Sequence, residues 1–164
     1  MNTIKILTTG GTIDKIYFDA NSEFQVGDSP LHECLLEANV TFDYSIESVL
    51  KKDSLEITEA DRQQLRQKVA EATESRILVT HGTDTMVDTA VALAGIAGKT
   101  IVLTGAMQPA RLRFTDAIFN IGYAVATLQL LGEGVYIAMN GQVFDPANVR
   151  KNLAGQRFEP VRPG

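Results

Sequence analysis

The sequence predicts a three-layer α/β fold built on a mostly parallel β-sheet. Short apolar segments, typical of buried strands, alternate along the chain with segments of helical periodicity. Parallel strands need crossover connections, and these are usually helices, so the alternation predicts βαβ units. At 164 residues, of which 45% are hydrophobic, the chain is long enough for one domain with a sizeable core.

The predicted strands are short, apolar and bounded by glycine or polar residues. They cover residues 3–7, 76–80, 100–104 and 135–139, and residues 40–49 carry a weaker strand signal. Asn140 and Gly141 form a favourable hairpin turn, so we expect Val143 and Phe144 to pair back on the last strand.

The predicted helices cover residues 30–38, 87–97 and 116–131, and a further helix starts at Thr58. Thr58 and Asp61 resemble a capping box, and this helix has an apolar face and a charged face that we expect to be solvated. Residues 14–29 show no lasting periodicity. We expect a long surface loop there, of the kind that often serves as a lid or binding loop.

Composition argues against nucleic-acid binding, an intrachain disulfide and membrane association. The chain has 15 basic and 20 acidic residues, without a basic block before its C-terminal tail, so we expect no nucleic-acid binding. A single cysteine, Cys34, cannot form an intrachain disulfide. The N-terminal apolar run is too short for a signal peptide or membrane helix, which predicts a cytoplasmic protein without membrane association.

Two segments dense in hydroxyl groups and glycine follow predicted strands, at residues 8–12 and 81–85. In α/β sheets, ligands bind where strands end and helices begin. An alternative is that Thr83 or Asp84 only caps the following helix. A phosphate-binding loop is a second alternative, but residues 10–12 lack both the G-x-G-x-x-G spacing and the G-K-[ST] ending.

The residue types suggest nucleophilic chemistry. A threonine hydroxyl is a poor nucleophile until a neighbouring group takes its proton. A lysine with a lowered pKa can take that proton, and a carboxylate can orient the lysine. His81 stands beside a glycine at a strand end, where a local hydrogen-bonding role is commoner than catalysis. The sequence contains neither a His-x-x-x-His pair nor clustered cysteines, so nothing suggests a metal site, and we expect no cofactor.

Three motifs resemble the bacterial-type L-asparaginases, the asparaginase/glutaminase family. They are TTGGTI at residues 8–13, HGTDTM at 81–86 and TGAM at 104–107. The resemblance implies a Rossmann-like or flavodoxin-like domain and an amidohydrolase that releases ammonia from asparagine through an acyl-threonine intermediate. Glutaminase side activity is an open alternative.

The same resemblance implies catalytic roles for four residues. Thr12 corresponds to the nucleophile, and Thr83, Lys151 and Asp84 form a second catalytic group with Lys151 as the base. Lys151 alone could be a solvated lysine, but residues 143–151 resemble the family segment that carries the catalytic lysine.

Further residues are implied to bind substrate. Ser54 would hold the α-carboxylate and Asp84 the α-amino group, while backbone groups near Gly11, Thr83 and Ala106 would bind the carboxylate and the amide oxygen. Phe24 aligns with a tyrosine of the family's mobile loop and lacks its hydroxyl, which Tyr17 could replace.

The resemblance covers residues 1–164 as a single domain of the N-terminal type. In the family, a C-terminal domain from a neighbouring subunit closes the site, so we expect at least a homodimer here. Two other functions stay open: a non-catalytic amino-acid-binding or regulatory module, and a nucleotide- or phosphate-binding protein.

Overall fold

The structure is a computed structural model that describes residues 3–18, 23–26 and 29–163, with the backbone alone for residues 17, 18 and 23–26. Its strands are β1 (Ile4–Gly10), β2 (Lys15–Phe18), β3 (Glu23–Val26), β4 (Tyr44–Lys52), β5 (Arg76–Thr80), β6 (Thr100–Thr104), β7 (Gly134–Met139), β8 (Gln142–Phe144), β9 (Arg150–Asn152) and β10 (Arg157–Glu159). Its α-helices are α1 (Leu31–Glu37), α2 (Glu59–Glu71), α3 (Met86–Ala92) and α4 (Ala117–Leu130).

A six-stranded sheet forms the middle layer, in the order β4-β1-β5-β6-β7-β8. Its first five strands are parallel, and β8 pairs antiparallel with β7. Helices α2 and α3 cover one face through a core that includes Leu65 and Met86, and α1 and α4 cover the other through a core that includes Leu35 and Ile121. The predicted three-layer α/β fold is therefore confirmed.

Side chains of the central strands divide between the two cores by strand alternation. In β5, Ile77 and Val79 belong to the core under α2 and α3, while Leu78 belongs to the core under α1 and α4. All three are fully buried. Strands buried on both faces read as continuous apolar runs, which is why β5 and β6 were predicted with their observed bounds.

Local capping and turn signals are also confirmed. The Asp61 amide donates to Thr58 Oγ1 at 3.2 Å and the Thr58 amide donates to Asp61 Oδ2 at 2.9 Å, which completes the capping box. Asn140 and Gly141 both have positive φ, 55° and 68°, as a two-residue hairpin turn between β7 and β8 requires.

Two predictions need correction, and one further hairpin was not predicted. The expected loop at residues 14–29 contains an antiparallel hairpin, in which Tyr17 of β2 pairs with Phe24 of β3. The C-terminal tail contains a second hairpin, β9–β10. Helix α3 ends at Ala92, not at residue 97. Short hairpins depend on cross-strand pairing, and a single strand of three or four residues carries little periodicity of its own.

Among the described residues, no helix combines the length and apolar content needed to cross a membrane.

The strand order brings the two hydroxyl-rich segments together. Strands β1 and β5 are neighbours, and the chain leaves β1 towards α1 on one face and β5 towards α3 on the other. Ligands of open α/β sheets bind at such a switch point, beyond the carboxyl ends of the strands. We call the segment after β1 the first loop (residues 11–14), the segment after β5 the second loop (residues 81–85) and the segment after β6 the third loop (residues 105–109).

Candidate active site

Glycines allow the loops at the switch point to touch through their backbones. A Cβ atom on Gly11 would lie 2.5 Å from both Cα and N of Gly82, and the φ of Gly11 is 85°. A Cβ atom on Gly82 would lie 2.5 Å from Cβ of Ser54. Glycine is thus required at both positions, and it brings Thr12, Thr83 and Ser54 to one place.

Lys151 joins this group from the far end of the chain. Its Nζ donates a 2.7 Å hydrogen bond to Thr83 Oγ1 and another of 2.7 Å to Asp84 Oδ1. The hydroxyl of Thr83 is buried, and the side chain of Lys151 is mostly buried, whereas that of Asp84 is partly exposed. The arrangement has a threonine hydroxyl on one side of an amine and a carboxylate on the other.

The hairpin β9–β10 holds Lys151 in position. Lys151 pairs across the hairpin with the buried Phe158, whose amide donates to Asn140 Oδ1 at 2.7 Å. Arg150 and Glu159 add an ion pair at 3.0 Å between the same two strands. Lys151 is therefore fixed by a strand and is not part of a solvated tail.

The alternative in which Thr83 or Asp84 only caps α3 is excluded. The residue at the N-cap position is Thr85, and its side chain makes no cap hydrogen bond. The oxygens of Thr83 and Asp84 face Lys151 instead.

Two adjoining cavities open at the switch point, and Thr12, Thr83 and Asp84 line both of them. One cavity, of about 340 Å³, is also lined by Gly11, Lys15 and Ser54. The other, of about 250 Å³, is also lined by Lys151 and by residues of the third loop. Thr12 begins a short 3₁₀ turn and is half-buried.

A larger concavity of about 540 Å³ lies elsewhere, between α3 and the residues that follow β8. Its lining is mostly apolar, with Glu133 and Asp145 as acidic side chains. It has no hydroxyl, lysine or histidine among its described lining residues, so the smaller cavities at the switch point are the better candidates for chemistry.

Ser54 and the second loop are tied by reciprocal hydrogen bonds. The Thr85 amide donates to Ser54 Oγ at 2.7 Å, and the Thr85 hydroxyl donates to the Ser54 carbonyl at 2.8 Å. Ser54 Oγ also lies 3.1 Å from the Gly82 carbonyl. Ser54 is buried and faces the larger of the two site cavities.

His81 has a structural role beneath the site. Its Nδ1 donates to the Gly82 carbonyl at 2.7 Å, because a carbonyl can only accept. Its Nε2 therefore accepts from Thr89 Oγ1 at 2.8 Å, and Thr89 in turn accepts from Arg62 Nε at 3.1 Å. Burial lowers the pKa of His81 to about 4, so the ring is neutral at pH 7.

The same network corrects the expectation for α2. Arg62 reaches Thr89, and the guanidinium of Arg66 donates to the carbonyls of Ala92 and Ala94 at the end of α3. The charged face of α2 is therefore partly used to hold α3, which carries the second loop.

Asp14, at the end of the first loop, is a buried carboxyl with an unmet hydrogen bond. Its Oδ1 has no partner among the described residues, although Ser29 and the Gly10 amide bind the carboxyl group. Burial raises the pKa of Asp14 to about 6, and the hydrogen bonds and the charge of Arg111 offset only part of that rise.

The third loop is anchored by two residues of the α4 region that the sequence did not point to. Both carboxylate oxygens of Asp116 accept from the Met107 amide, at 3.1 and 2.9 Å. Asn120 Nδ2 donates to the Gly105 carbonyl at 2.9 Å. Ala106, between these anchors, is buried in the core under α1 and α4 and is not among the residues that line the two site cavities.

Gly11 and Phe24 were also expected to bind substrate. The Gly11 amide donates to the Lys52 carbonyl at 3.0 Å, so an amide that binds substrate here would have to come from a neighbouring residue. The backbone of Phe24 lies in β3, and its side chain lies outside the described part of the chain.

The fold and site define an α/β protein whose polar cavity lies at a sheet switch point, with a threonine–lysine–carboxylate group in its wall. Residues 3–159 match the family model for the asparaginase N-terminal domain, and the chain belongs to that family. It is 31% identical to a glutaminase-asparaginase of Pseudomonas fluorescens over 95% of its own length, and 32% identical to a probable periplasmic L-asparaginase of Haemophilus influenzae over 90%.

A solved structure of an L-asparaginase has the same fold. The fold matches L-asparaginase I of Vibrio cholerae with a TM-score of 0.85 and 25% identity, over 97% of this chain and 51% of that one. The chain spans about half the length of the curated relatives it matches, 48% and 46% for the two above.

Proposed function

We propose that this chain is an amidohydrolase that converts L-asparagine to L-aspartate and ammonia through an acyl-threonine intermediate. The observation that carries the proposal is the pair of 2.7 Å hydrogen bonds from Lys151 Nζ to Thr83 Oγ1 and Asp84 Oδ1. Family membership and the names of the relatives support the reaction class. A binding module would need no amine between a hydroxyl and a carboxylate.

In the proposed first step, Thr12 Oγ attacks the carbonyl carbon of the side-chain amide. The hydroxyl proton passes to a base, and the base then gives that proton to the amide nitrogen. The C–N bond breaks, ammonia leaves, and the base is free to act again. The acyl group stays on Thr12 as an ester. Backbone amides near Gly11, Thr83 and Ala106 stabilise the negative charge that forms on the carbonyl oxygen.

The base is Lys151 of β9, which is hydrogen-bonded to Thr83 and Asp84 of the second loop. Lys151, in the form that has given up one proton, accepts a proton through the hydroxyl of Thr83. Asp84 orients the amine and stabilises the ammonium ion that results. In the second step the same group activates a water molecule, which hydrolyses the ester and frees Thr12.

Binding of the amino-acid part would use the other groups at the switch point. Ser54 donates to the α-carboxylate, and Asp84 accepts from the α-amino group. Because the Gly82 carbonyl also accepts from His81, the Ser54 hydroxyl can turn towards a carboxylate without leaving that carbonyl unpaired.

The test is ammonia release from L-asparagine and L-glutamine by the purified protein and its variants. We expect turnover by the wild type, and none above background for Thr12→Val. Lys151→Met should lose about 10²-fold or more, as for removal of a general base. Lys68→Met is the control, because Lys68 lies on α2 and pairs with Glu47 at 2.7 Å.

One outcome would replace the proposal. If the wild type releases no ammonia while L-asparagine or L-aspartate raises its melting temperature, the chain is a non-catalytic amino-acid-binding module.

We also propose that the chain acts as a homodimer or larger homo-oligomer. On α4, Ile118 and Phe119 expose more than half of their surface, and Phe114 just before the helix exposes 80%. Apolar side chains grouped in this way favour a protein contact. Sedimentation should give at least twice the monomer mass, and monomer mass at working concentration would contradict this.

A further inference from the structure

We propose that Lys15 binds the free α-carboxylate of the substrate, and so makes the site selective for α-amino acids whose carboxyl group is unblocked. The inference rests on the function proposed above and deepens it, because it names the part of the substrate that Lys15 recognises.

The position of Lys15 gives the first argument. It is the first residue of β2 and follows Thr12 by three residues, so one short segment carries both. Its side chain lines the 340 Å³ cavity together with Thr12 and Ser54. Its Nζ lies 3.3 Å from Oδ1 of Asp53, which also lines the cavity and directly precedes Ser54.

The charge of the cavity gives the second argument. Among its described lining residues Lys15 is the one basic side chain, whereas Asp53, Glu56 and Asp84 are acidic. An α-amino acid carries an ammonium and a carboxylate at neutral pH. The acidic groups favour the ammonium but repel the carboxylate, so the carboxylate requires a cation nearby.

Ser54 alone is a weak counterpart for that carboxylate. Its hydroxyl is neutral, and it is already shared with Thr85 and the Gly82 carbonyl. Hydrogen bonds with a charged donor are markedly stronger than neutral ones. Lys15 and Ser54 line the same cavity, so one carboxylate can accept from both.

The ion pair with Asp53 leaves Lys15 able to bind a ligand. An ammonium group has three donors, and one carboxylate does not use them all. The Asp53 side chain is about half exposed and that of Lys15 about a quarter exposed, and ion pairs in contact with water contribute little. A substrate carboxylate can therefore join or displace Asp53 at small cost.

The experiment measures the affinity of two ligands by calorimetry: L-aspartate and L-isoasparagine, which differ only in that the second carries an α-amide in place of the α-carboxylate. Wild type should bind L-aspartate at least about tenfold more tightly. Lys15→Met should lose about tenfold in affinity for L-aspartate and leave that for L-isoasparagine unchanged. Lys52→Met is the matched control, since Lys52 Nζ binds Asp61 Oδ2 at 2.8 Å and Lys52 is not among the residues lining the cavity.

Three results would overturn the inference: equal weakening of both ligands in Lys15→Met, no change in either, or a wild type that binds neither. Ammonia release separates this inference from the proposed function. If Lys15→Met turns over substrate with an unchanged KM, the role proposed for Lys15 is wrong and the proposed amidohydrolase function stands. If the wild type releases no ammonia but discriminates between the two ligands through Lys15, the carboxylate-binding role of Lys15 stands and the proposed amidohydrolase function is wrong.

Discussion

The first loop and the second loop carry similar residues but are packed very differently. Each follows one of two neighbouring parallel strands, and each contains a glycine in close contact with another segment. Gly11 of the first loop lies against Gly82, and Gly82 of the second loop lies against Ser54. In the second loop the buried His81 has partners at both ring nitrogens. In the first loop the buried Asp14 leaves Oδ1 without a partner among the described residues.

This difference suggests a division of roles. The second loop is held by a network that runs from Arg62 to the Gly82 carbonyl, so the groups around Lys151 are fixed before any substrate binds. The first loop carries Thr12 beside a buried carboxyl with an unmet hydrogen bond, an arrangement that costs stability. The groups around Lys151 are thus firmly held, whereas the segment that carries Thr12 keeps a buried oxygen without a hydrogen bond among the described residues.

The largest expected effect comes from breaking the contact between the loops. Gly11→Ala would place a Cβ atom 2.5 Å from the Gly82 backbone at a φ of 85°. We expect the free energy of unfolding to fall by roughly 4 kcal/mol, measured by urea denaturation. Gly95→Ala is the control: its φ is 81°, but nothing lies within 4 Å, so it should cost only about 1 kcal/mol. Equal losses would show that the loops do not touch as described.

The next effect is a pH dependence of opposite sign at the two buried groups. The pKa of His81 is lowered to about 4, so only the unfolded chain takes up a proton between pH 6.5 and 4, and stability falls as pH falls. The pKa of Asp14 is raised to about 6, so only the folded chain takes up a proton between pH 6 and 3.8, and stability rises as pH falls. Each contribution is about 3 kcal/mol, and in the wild type they oppose each other.

Variants separate these two contributions. Asp14→Asn should lose more stability than the wild type between pH 7 and 4.5, and His81→Gln should lose less, by urea denaturation at both pH values. Carboxyls with lowered pKa, such as Glu47 and Asp61, titrate in all three proteins and cancel in the comparison. Identical pH profiles in the two variants would contradict the assignment of these groups.

The smallest effect tests the outer part of the network. Thr89→Val leaves His81 Nε2 without a donor, and we expect a loss of about 1 kcal/mol in the free energy of unfolding. Thr127→Val is a matched control, because Thr127 is buried in α4 and its hydroxyl donates to the Tyr123 carbonyl of its own helix. A loss no larger than that of the control would mean that Thr89 does not support His81.

The sequence predicted features that are local in the chain. Strands β5 and β6 are apolar runs between polar residues, and the capping box at Thr58 is complete within four residues. The structure brings together residues named for the site, since Thr12, Ser54, Thr83 and Asp84 line one cavity and Lys151 an adjoining one. Their catalytic roles stay predictions.

Features that depend on pairing across the fold could not be predicted. The hairpin that fixes Lys151 depends on the pairing of two three-residue strands, and Asn140 binds it from the β7–β8 turn. Arg62 looked like part of a solvated face because periodicity does not reveal that Thr89 lies next to it. Lys15 carried one available signal, its position three residues after Thr12. Its cavity forms only when residues 53–56, which follow β4, and the second loop pack beside it.

The most direct test of this division of roles is to locate the acyl group. The protein is mixed with excess L-asparagine, quenched in acid and mapped by peptide mass spectrometry. We expect an adduct with the mass of asparagine less ammonia on the peptide that contains Thr12, and none in Thr12→Val. An adduct on Thr83, or ammonia release with no adduct on Thr12, would contradict the assignment of the nucleophile to Thr12 in the first loop and of the base to Lys151 beside the second loop.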